Sequence, residues 1–267
     1  MNPKISVLMG IYNCGDTLSE AIESILRQTE QDFDLILCDD GSLDDTYAIA
    51  KAYRDQYPYK ITLLKNEENM GLHATLNRCF SAAHGEYIAR MDGDDISMPD
   101  RFQKELIALE GNPKIALVST PMVHFDESGT WATGKALPLP QPMDLVRSTP
   151  FCHGPCMIRR EALLAVGGYT DDPKFLRVED YDLWVKLYAA GYRGMNLTEP
   201  LYKMRDDRNA ASRRKFRYRI NEFRVKAKAV RLLHLPLWTY ILALRPILVG
   251  LLPMGIYQRL HKARLKG

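Results

Sequence analysis

No CxxC pair occurs anywhere in the 267-residue chain, and its five cysteines, Cys14, Cys38, Cys79, Cys152 and Cys156, are odd in number and scattered. That spacing argues against a zinc site or a disulfide framework, so free thiols in a reducing compartment are expected. Internal repeats and low-complexity segments are missing too. The opening MNPKISVLMGIYN has one lysine and an apolar run too short for a signal peptide's hydrophobic region, which predicts a cytosolic body. The chain also lacks an uninterrupted apolar run of spanning length: LPLWTYILALRPILVGLLPMGIY carries Arg245 in its middle and Pro246 and Pro253 along it. An arginine at a helix centre costs about 2.5–3.5 kcal/mol on the insertion scale. Both flanks are basic, so the segment is expected to lie in the membrane interface or to re-enter as two half-helices; the alternative is an ordinary helix pair folded on the body. Acidic residues are almost absent at the end of the chain. From Ser212 onward there are 14 Lys plus Arg against Glu222 alone.

What is present is enough apolar material, 46% of residues, for one large domain or a domain with an appendage. The net charge of +3 divides into about −10 before Ser212 and about +13 after it. An acidic body with a basic tail predicts that the tail meets an anionic surface, lipid or nucleic acid. Aromatic residues do interleave the basic run (Phe216, Tyr218, Phe223), but the adjacent apolar stretch suits lipid, and no nucleic-acid partner is expected.

Strand and helix patterns alternate. ISVLMG reads as a buried strand, followed by a helix from about Thr17 to Gln28; DLILCDDGS is a second strand, followed by a helix from Asp44 to Tyr57. ITLLKN, LHATLNRCFSAAHG and EYIARMDGDD repeat the alternation, and helices follow from Pro99 to about Glu110 and over VEDYDLWVKLYAAGY. IALVSTPMVHF predicts strands, GPCMIRREALLAVGGY a strand and short helix, and the Pro- and Gly-rich 129–142 a loop. Short connections between alternating elements imply an α/β fold with a mainly parallel sheet covered on both faces, binding ligands at the carboxyl ends of its strands.

Two predicted strands end in acidic clusters, CDDGS and MDGDD, which places both at that edge. Asp92, Asp94 and Asp95 repel one another unless a cation, a proton or solvent compensates them. A hard divalent cation, Mg²⁺ or Mn²⁺, takes one or two carboxylates plus substrate phosphates, and Gly93 would let phosphate approach; a surface turn before Pro99 is the plainer explanation. In the other cluster Asp44 suits a helix cap, and Asp40 suits a base or ribose edge. Glu179 and Asp180 open a helix, where the dipole alone favours carboxylates, although one could also serve as a general base.

Five blocks in order, ISVLMGIYNCGDTLSEAIESILRQTEQDFDLILCDDGSLDDT, NMGLHATLN, GEYIARMDGDDISMPDR, HGPCMIRRE and VEDYDLWVKLYAAGY, resemble the family 2 glycosyltransferases of the GT-A fold over roughly residues 4 to 205. The resemblance implies a mixed, mainly parallel sheet flanked by helices, with a C-terminal basic and apolar helical appendage. It implies a catalytic domain over 1–211, the nucleotide-sugar half being about 1–98 and the acceptor half about 99–211, and leaves 212–267 as a membrane-associating tail. Tyr12 would pack on the nucleobase, Asp40 bond the base, Asp92 contact the ribose or metal-bound phosphate, and Asp94 bind Mn²⁺ or Mg²⁺, with Asp95 supporting. Asp180 would be the catalytic base beside Glu179, and His153 matches a position near the acceptor. Asn69, Gly71 and Asn77 match the family's Asn-Gly helix start. Many relatives carry a histidine where this chain has Asp206 and Asp207, so the third metal ligand falls to one of these or is missing.

The implied reaction is inverting transfer of a sugar from a nucleoside diphosphate sugar, expected to be a UDP sugar, to a hydroxyl of a lipid-linked or surface-polysaccharide acceptor at the cytoplasmic face of the membrane. A nucleotidyltransferase would carry a basic glycine-rich loop after the first strand, and GIYNCGDTLSE has no lysine or arginine. A sugar-nucleotide-binding membrane scaffold without turnover is the remaining alternative.

Overall fold

In a computed structural model, residues 2–206 and 215–251 are described. The elements run β1 (Ile5–Ile11), α1 (Gly15–Leu26), β2 (Phe33–Asp39), α2 (Thr46–Gln56), β3 (Ile61–Lys65), α3 (Leu72–Ala82), β4 (Tyr87–Arg90), β5 (Ile96–Ser97) and α4 (Arg101–Glu110) in the first half. They continue through β6 (Ile115–Ser119), β7 (Met122–Asp126), β8 (Gly129–Thr133), α5 (Asp144–Arg147), β9 (Met157–Arg159), α6 (Arg160–Ala165), α7 (Glu179–Ala189), β10 (Arg193–Asn196) and β11 (Tyr202–Arg205). Three helices follow: α8 (Phe216–Leu232), α9 (Tyr240–Ala243) and α10 (Arg245–Gly250).

β1 is apolar toward both faces, with Ile5, Val7, Leu8, Met9 and Ile11 all buried, because it lies mid-sheet under helices on both sides. The seven-stranded sheet has the order β10-β6-β9-β4-β1-β2-β3. All neighbours are parallel except β9, which runs antiparallel between β4 and β6. The chain builds outward from β1 through β2 to β3, then returns to place β4 on the other side of β1. This reversal opens a crevice at the carboxyl ends of β1 and β4, where an open α/β sheet receives its ligand. On α1, Leu18, Ala21, Ile22 and Ile25 form the buried stripe. Its first amides are capped from the loop after β2 and the start of α2: Gly15 N–H donates to Asp44 Oδ2 (3.0 Å) and Cys14 N–H to Thr46 Oγ1 (2.8 Å). Asp44 Oδ1 also caps α2 through Thr46 N–H (3.0 Å).

A second sheet, ordered β5-β11-β7-β8, closes the crevice from beside β4. It corrects the expected loop over 129–142: residues 129–133 form β8, paired antiparallel with β7 across a tight turn at Asp126–Gly129. GTWAT alternates and is rich in β-branched and aromatic residues, a signal that the flanking Gly and Pro obscured. The five cysteines form no disulfide.

The basic run does form a helix, α8, but its apolar side faces protein. Val225, Ala229 and Val230 are buried in one cluster with Val178, Tyr181, Trp184 and Tyr188. The apolar stretch after it breaks at His234, whose φ is +51°, and at Pro236, then continues as short turns. Among the described residues no helix is long and apolar enough to cross a membrane. Residues 252–267 and Asp207 lie outside the described residues.

Candidate functional site

The site grows from the end of β4. Side chains two apart on a strand share a face, so Arg90 and Asp92 meet, and both guanidinium Nη groups donate to the Asp92 carboxylate. Arg90 is almost wholly buried; burial opposes its charge, but its surroundings, led by Asp92, together hold the guanidinium firmly protonated. The Asp92 N–H donates to Tyr202 Oη (3.2 Å) on β11. A Cβ at Gly93 would sit 2.8 Å from Cys14 Sγ and 3.1 Å from Ile11 Cγ2, so only glycine lets this turn pack on α1. The Gly93 carbonyl accepts Thr17 Oγ1 (3.1 Å).

Asp94 stands exposed at the cleft, and partial burial, then the neighbouring Asp92, push its carboxyl upward. Asp95 turns inward: Oδ1 accepts the Arg205 N–H (2.8 Å), and burial followed by the Asp92 and Asp94 charges raises it to about 8. Arg205 ties the turn further, donating from Nε to the Asp94 carbonyl (3.0 Å) and from Nη2 to Glu20 Oε2 (2.6 Å). Tyr12, Asp92 and Asp94 line a single cleft of about 400 Å³ with Gly10, Asn13, Cys14, Asp16, Thr17, Gly93 and Arg205. Tyr12 is 45% exposed, its ring available for stacking.

Asp40 lies next to that wall, its N–H donating to the Ile11 carbonyl (2.8 Å), but its carboxylate is engaged within the chain. Oδ1 accepts Asn66 Nδ2 (2.7 Å) and Met70 N–H (2.8 Å), and Oδ2 accepts Gly71 N–H (2.9 Å). Gly71, at φ +86°, supplies a backbone that other residues rarely adopt. Asp40 thereby fixes the 66–71 loop. Asn69 is exposed on that loop, and Asn77 grips the Tyr169 backbone in both directions (Nδ2 to O, 2.8 Å; N–H to Oδ1, 2.9 Å).

Asp180 lies in the first turn of α7. It is half-buried; burial, then Glu179, raise its carboxyl to about 6, and the Arg90 charge opposes that rise. Glu179 is buried, with Oε2 lacking a hydrogen-bond partner. His153 Nε2 lies 2.7 Å from Tyr169 Oη, and its ring sits against Tyr169 and Trp184. Burial and the Arg90 charge drive its pKa well down, so the imidazole is neutral. Asp206 Oδ2 is 3.6 Å from His124 Nδ1 on β7, and Asp206 is not among the residues that line the cleft. Among the described residues no group of three or more His, Cys, Asp or Glu is placed to hold a metal by itself.

Sequence reasoning missed Arg90, Asn66, Tyr202 and Arg205. Period-two alternation could have paired Arg90 with Asp92; β11 lies about 110 residues from Asp92 and Asp95 in sequence, and nothing local announces it.

The profile of Glycosyl transferase family 2 matches residues 6–167, and that of Glycosyl transferase family group 2 matches 87–259. The chain belongs to glycosyltransferase family 2. This glycosyltransferase is 44% identical over 263 residues to the putative glycosyltransferase EpsE of Bacillus subtilis (strain 168), covering 98% of this chain and 95% of that one. It is 29% identical over 269 residues to the UDP-Gal:alpha-D-GlcNAc-diphosphoundecaprenol beta-1,3-galactosyltransferase of Escherichia coli, covering 97% and 96%. In fold it matches the mannosyltransferase PcManGT of Pyrobaculum calidifontis in complex with GDP-Man and Mn²⁺ (TM-score 0.67, 19% identity, 99% and 80% covered). It also matches S. aureus TarS 1-349 in complex with UDP-GlcNAc (TM-score 0.68, 17% identity, 93% and 82% covered). The glycosyltransferase thus has the mainly parallel, helix-flanked GT-A architecture.

Proposed function

We propose that this glycosyltransferase moves a sugar, with inversion, from a nucleoside diphosphate sugar of the UDP type to a hydroxyl of a lipid-linked or surface-polysaccharide acceptor. The observation that carries the reading is a cleft lined by Tyr12, Asp92 and Asp94, with buried Arg90 paired to Asp92 and near enough to Asp180 for its charge to act on that carboxyl. Tyr12 would stack on the base, with Asp40 fixing the loop beside it and offering its remaining lone pairs to the base edge. Asp180, its pKa raised toward neutrality, is suited to take the proton from an acceptor hydroxyl as that oxygen attacks the anomeric carbon from the face opposite the diphosphate.

A divalent cation fits these residues. Asp94 is an open carboxylate beside a like charge, and Asp92 keeps a second lone pair on each oxygen outside the Arg90 fork. Asp94 and Asp92 would hold the ion, with phosphate oxygens and water completing its shell. Once bound, Mn²⁺ or Mg²⁺ would neutralise charge developing on the departing diphosphate.

The acceptor class is supported by the name of the Escherichia coli relative and by the tail. Leu237, Trp238, Ile241, Leu248 and Leu251 are 55–81% exposed, and the surrounding chain is strongly basic. Such a surface suits the interface of an anionic membrane at the cytoplasmic face, with the charged end of Arg245 reaching the head groups. A thermal-shift screen of UDP and GDP sugars with and without Mn²⁺ tests the donor. One diphosphate sugar should stabilise the fold in a metal-dependent way, and Asp180→Asn should retain that shift while transfer collapses. Transfer surviving in Asp180→Asn would remove the base assignment.

A further inference from the structure

α8 belongs to the part of the chain whose sequence points at a membrane, yet its side chains reach the helix that carries Asp180. Asp182, one turn into α7, is fully buried as a carboxylate; Oδ1 accepts Lys228 Nζ of α8 (2.5 Å) and Oδ2 accepts Thr170 Oγ1 (2.6 Å). The other nearby cation, Lys186, points instead at the Gly168 carbonyl (2.6 Å) and Thr170 Oγ1 (3.3 Å). Lys228 also lies 4.8 Å from the centre of the Phe175 ring, in the short turn that leads into α7. Two turns earlier on α8, Asn221 Nδ2 donates to the Leu176 carbonyl (3.0 Å), and Arg224 Nη1 donates to Asn221 Oδ1 (3.0 Å), which fixes the amide's orientation. Between these two ties sits Arg177, a non-glycine residue at φ +69°. Backbone in that region persists only where its surroundings over-determine it.

We propose that Lys228 and Asn221 are positioning residues for the transfer reaction: gripping Asp182 and the Leu176 carbonyl, they fix the first turn of α7 and so set where Asp180 meets the acceptor hydroxyl. The proposal rests on the reading of Asp180 as the base. Burial alone does not call for an ion pair here, because apolar side chains of similar volume fill such space at least as favourably. What the pair adds is direction. Its charge-assisted bonds hold Asp182 in one orientation, two residues from Asp180 on the same helical turn.

The test uses the full chain and three variants, Lys228→Met, Lys228→Arg and Asn221→Ala, with Asp180→Asn as control. Hydrogen exchange is followed in the peptides covering 168–182 and, as reference, 87–95. Turnover is followed as nucleoside diphosphate released from UDP-glucose, UDP-galactose, UDP-GlcNAc and GDP-mannose. Lys228→Met and Asn221→Ala should raise exchange about tenfold over 168–182 and leave 87–95 unchanged. They should lower kcat at least tenfold with donor KM within twofold, and Lys228→Arg should restore both. Unchanged exchange over 168–182, or an equal rise in both regions, overturns the proposal. If exchange changes as expected but Asp180→Asn retains full turnover, it is the base assignment that fails, and α8 is left positioning a helix without that role.

Discussion

Arg90 and Asp92 are joined by a two-pronged ion pair, each guanidinium Nη donating to its own carboxylate oxygen, at the point where β4 ends and the acidic turn begins. One buried cation thus compensates the first aspartate of the cluster without occupying Asp94, which remains open to the cleft.

Removing that cation should cost both stability and the donor site. Arg90→Met leaves Asp92 beside Asp94 without compensation, and the expected loss is about 3 kcal/mol, the low end for a broken buried pair because Asp92 is partly exposed. Denaturant titration measures the loss. The thermal shift given by UDP with Mn²⁺ should shrink in parallel. Arg90→Lys keeps the charge but loses the fork, and should fall between the two.

The pH profile of transfer should report Asp180. Burial and Glu179 raise its carboxyl to about 6, and a base must be deprotonated to act. Log kcat/KM should therefore be flat above that pH and fall by about one unit per pH unit below it. Asp180→Asn should lower the plateau by a factor of about 10²–10⁴. An acidic limb that persists unchanged in Asp180→Asn would point to another group.

Stability should decline as the solution becomes more alkaline through neutrality. Glu105 is fully buried with neither oxygen hydrogen-bonded, and burial, opposed by Arg101 at 3.6 Å, raises it from 4.5 to about 8. A raised folded pKa means that the native state binds the proton more tightly than the unfolded chain. Its contribution is full below about pH 4.5 and is lost as pH climbs through 8. Asp95 has the same sign. Glu105→Gln should flatten part of this slope in thermal unfolding measured between pH 5 and 9; an unchanged slope would remove Glu105 as its source.

Charge placed on the exposed apolar turn should release the protein from lipid. Ile241 and Leu248 are 69% and 62% exposed, so Ile241→Glu with Leu248→Glu should leave the melting temperature within about 2 °C while lowering co-sedimentation with phosphatidylserine-containing vesicles at least tenfold. Equal binding by the double variant would exclude this face as the contact.

The parts of the fold governed by local periodicity were legible in the sequence. ISVLMG reads as a buried strand, and Leu18, Ile22, Ile25 and Leu26 as one helix face, of which Leu18, Ile22 and Ile25 are buried, because the side chains that settle those elements are near neighbours. Of the site, Asp92 and Asp94 were legible at the ligand-binding edge because their cluster follows a strand, whereas Tyr12 entered only through the family resemblance. Asp40 was visible as a residue, but its grip on Asn66, Met70 and Gly71 was not, because a loop's hydrogen bonds leave no periodic trace. Tyr202 and Arg205 were hidden for a different reason: they reach the acidic turn through a second sheet whose strand pairing joins distant segments. α8 reads as a basic, lipid-facing helix on its charge, whereas Val225, Ala229 and Val230 form a narrow seam that only its packing partner Trp184 makes meaningful.

That seam bears on how the protein can be dissected. Because the basic helix fills a slot in the interior, shortening the polypeptide before Lys215 would not peel off an accessory; it would strip the cover from Trp184 and Tyr181 and leave Asp182 without its lysine. Any loss of lipid binding in such a truncation would be inseparable from damage to the enzyme, so the proposed lipid contact must be tested by surface substitutions and not by scissors.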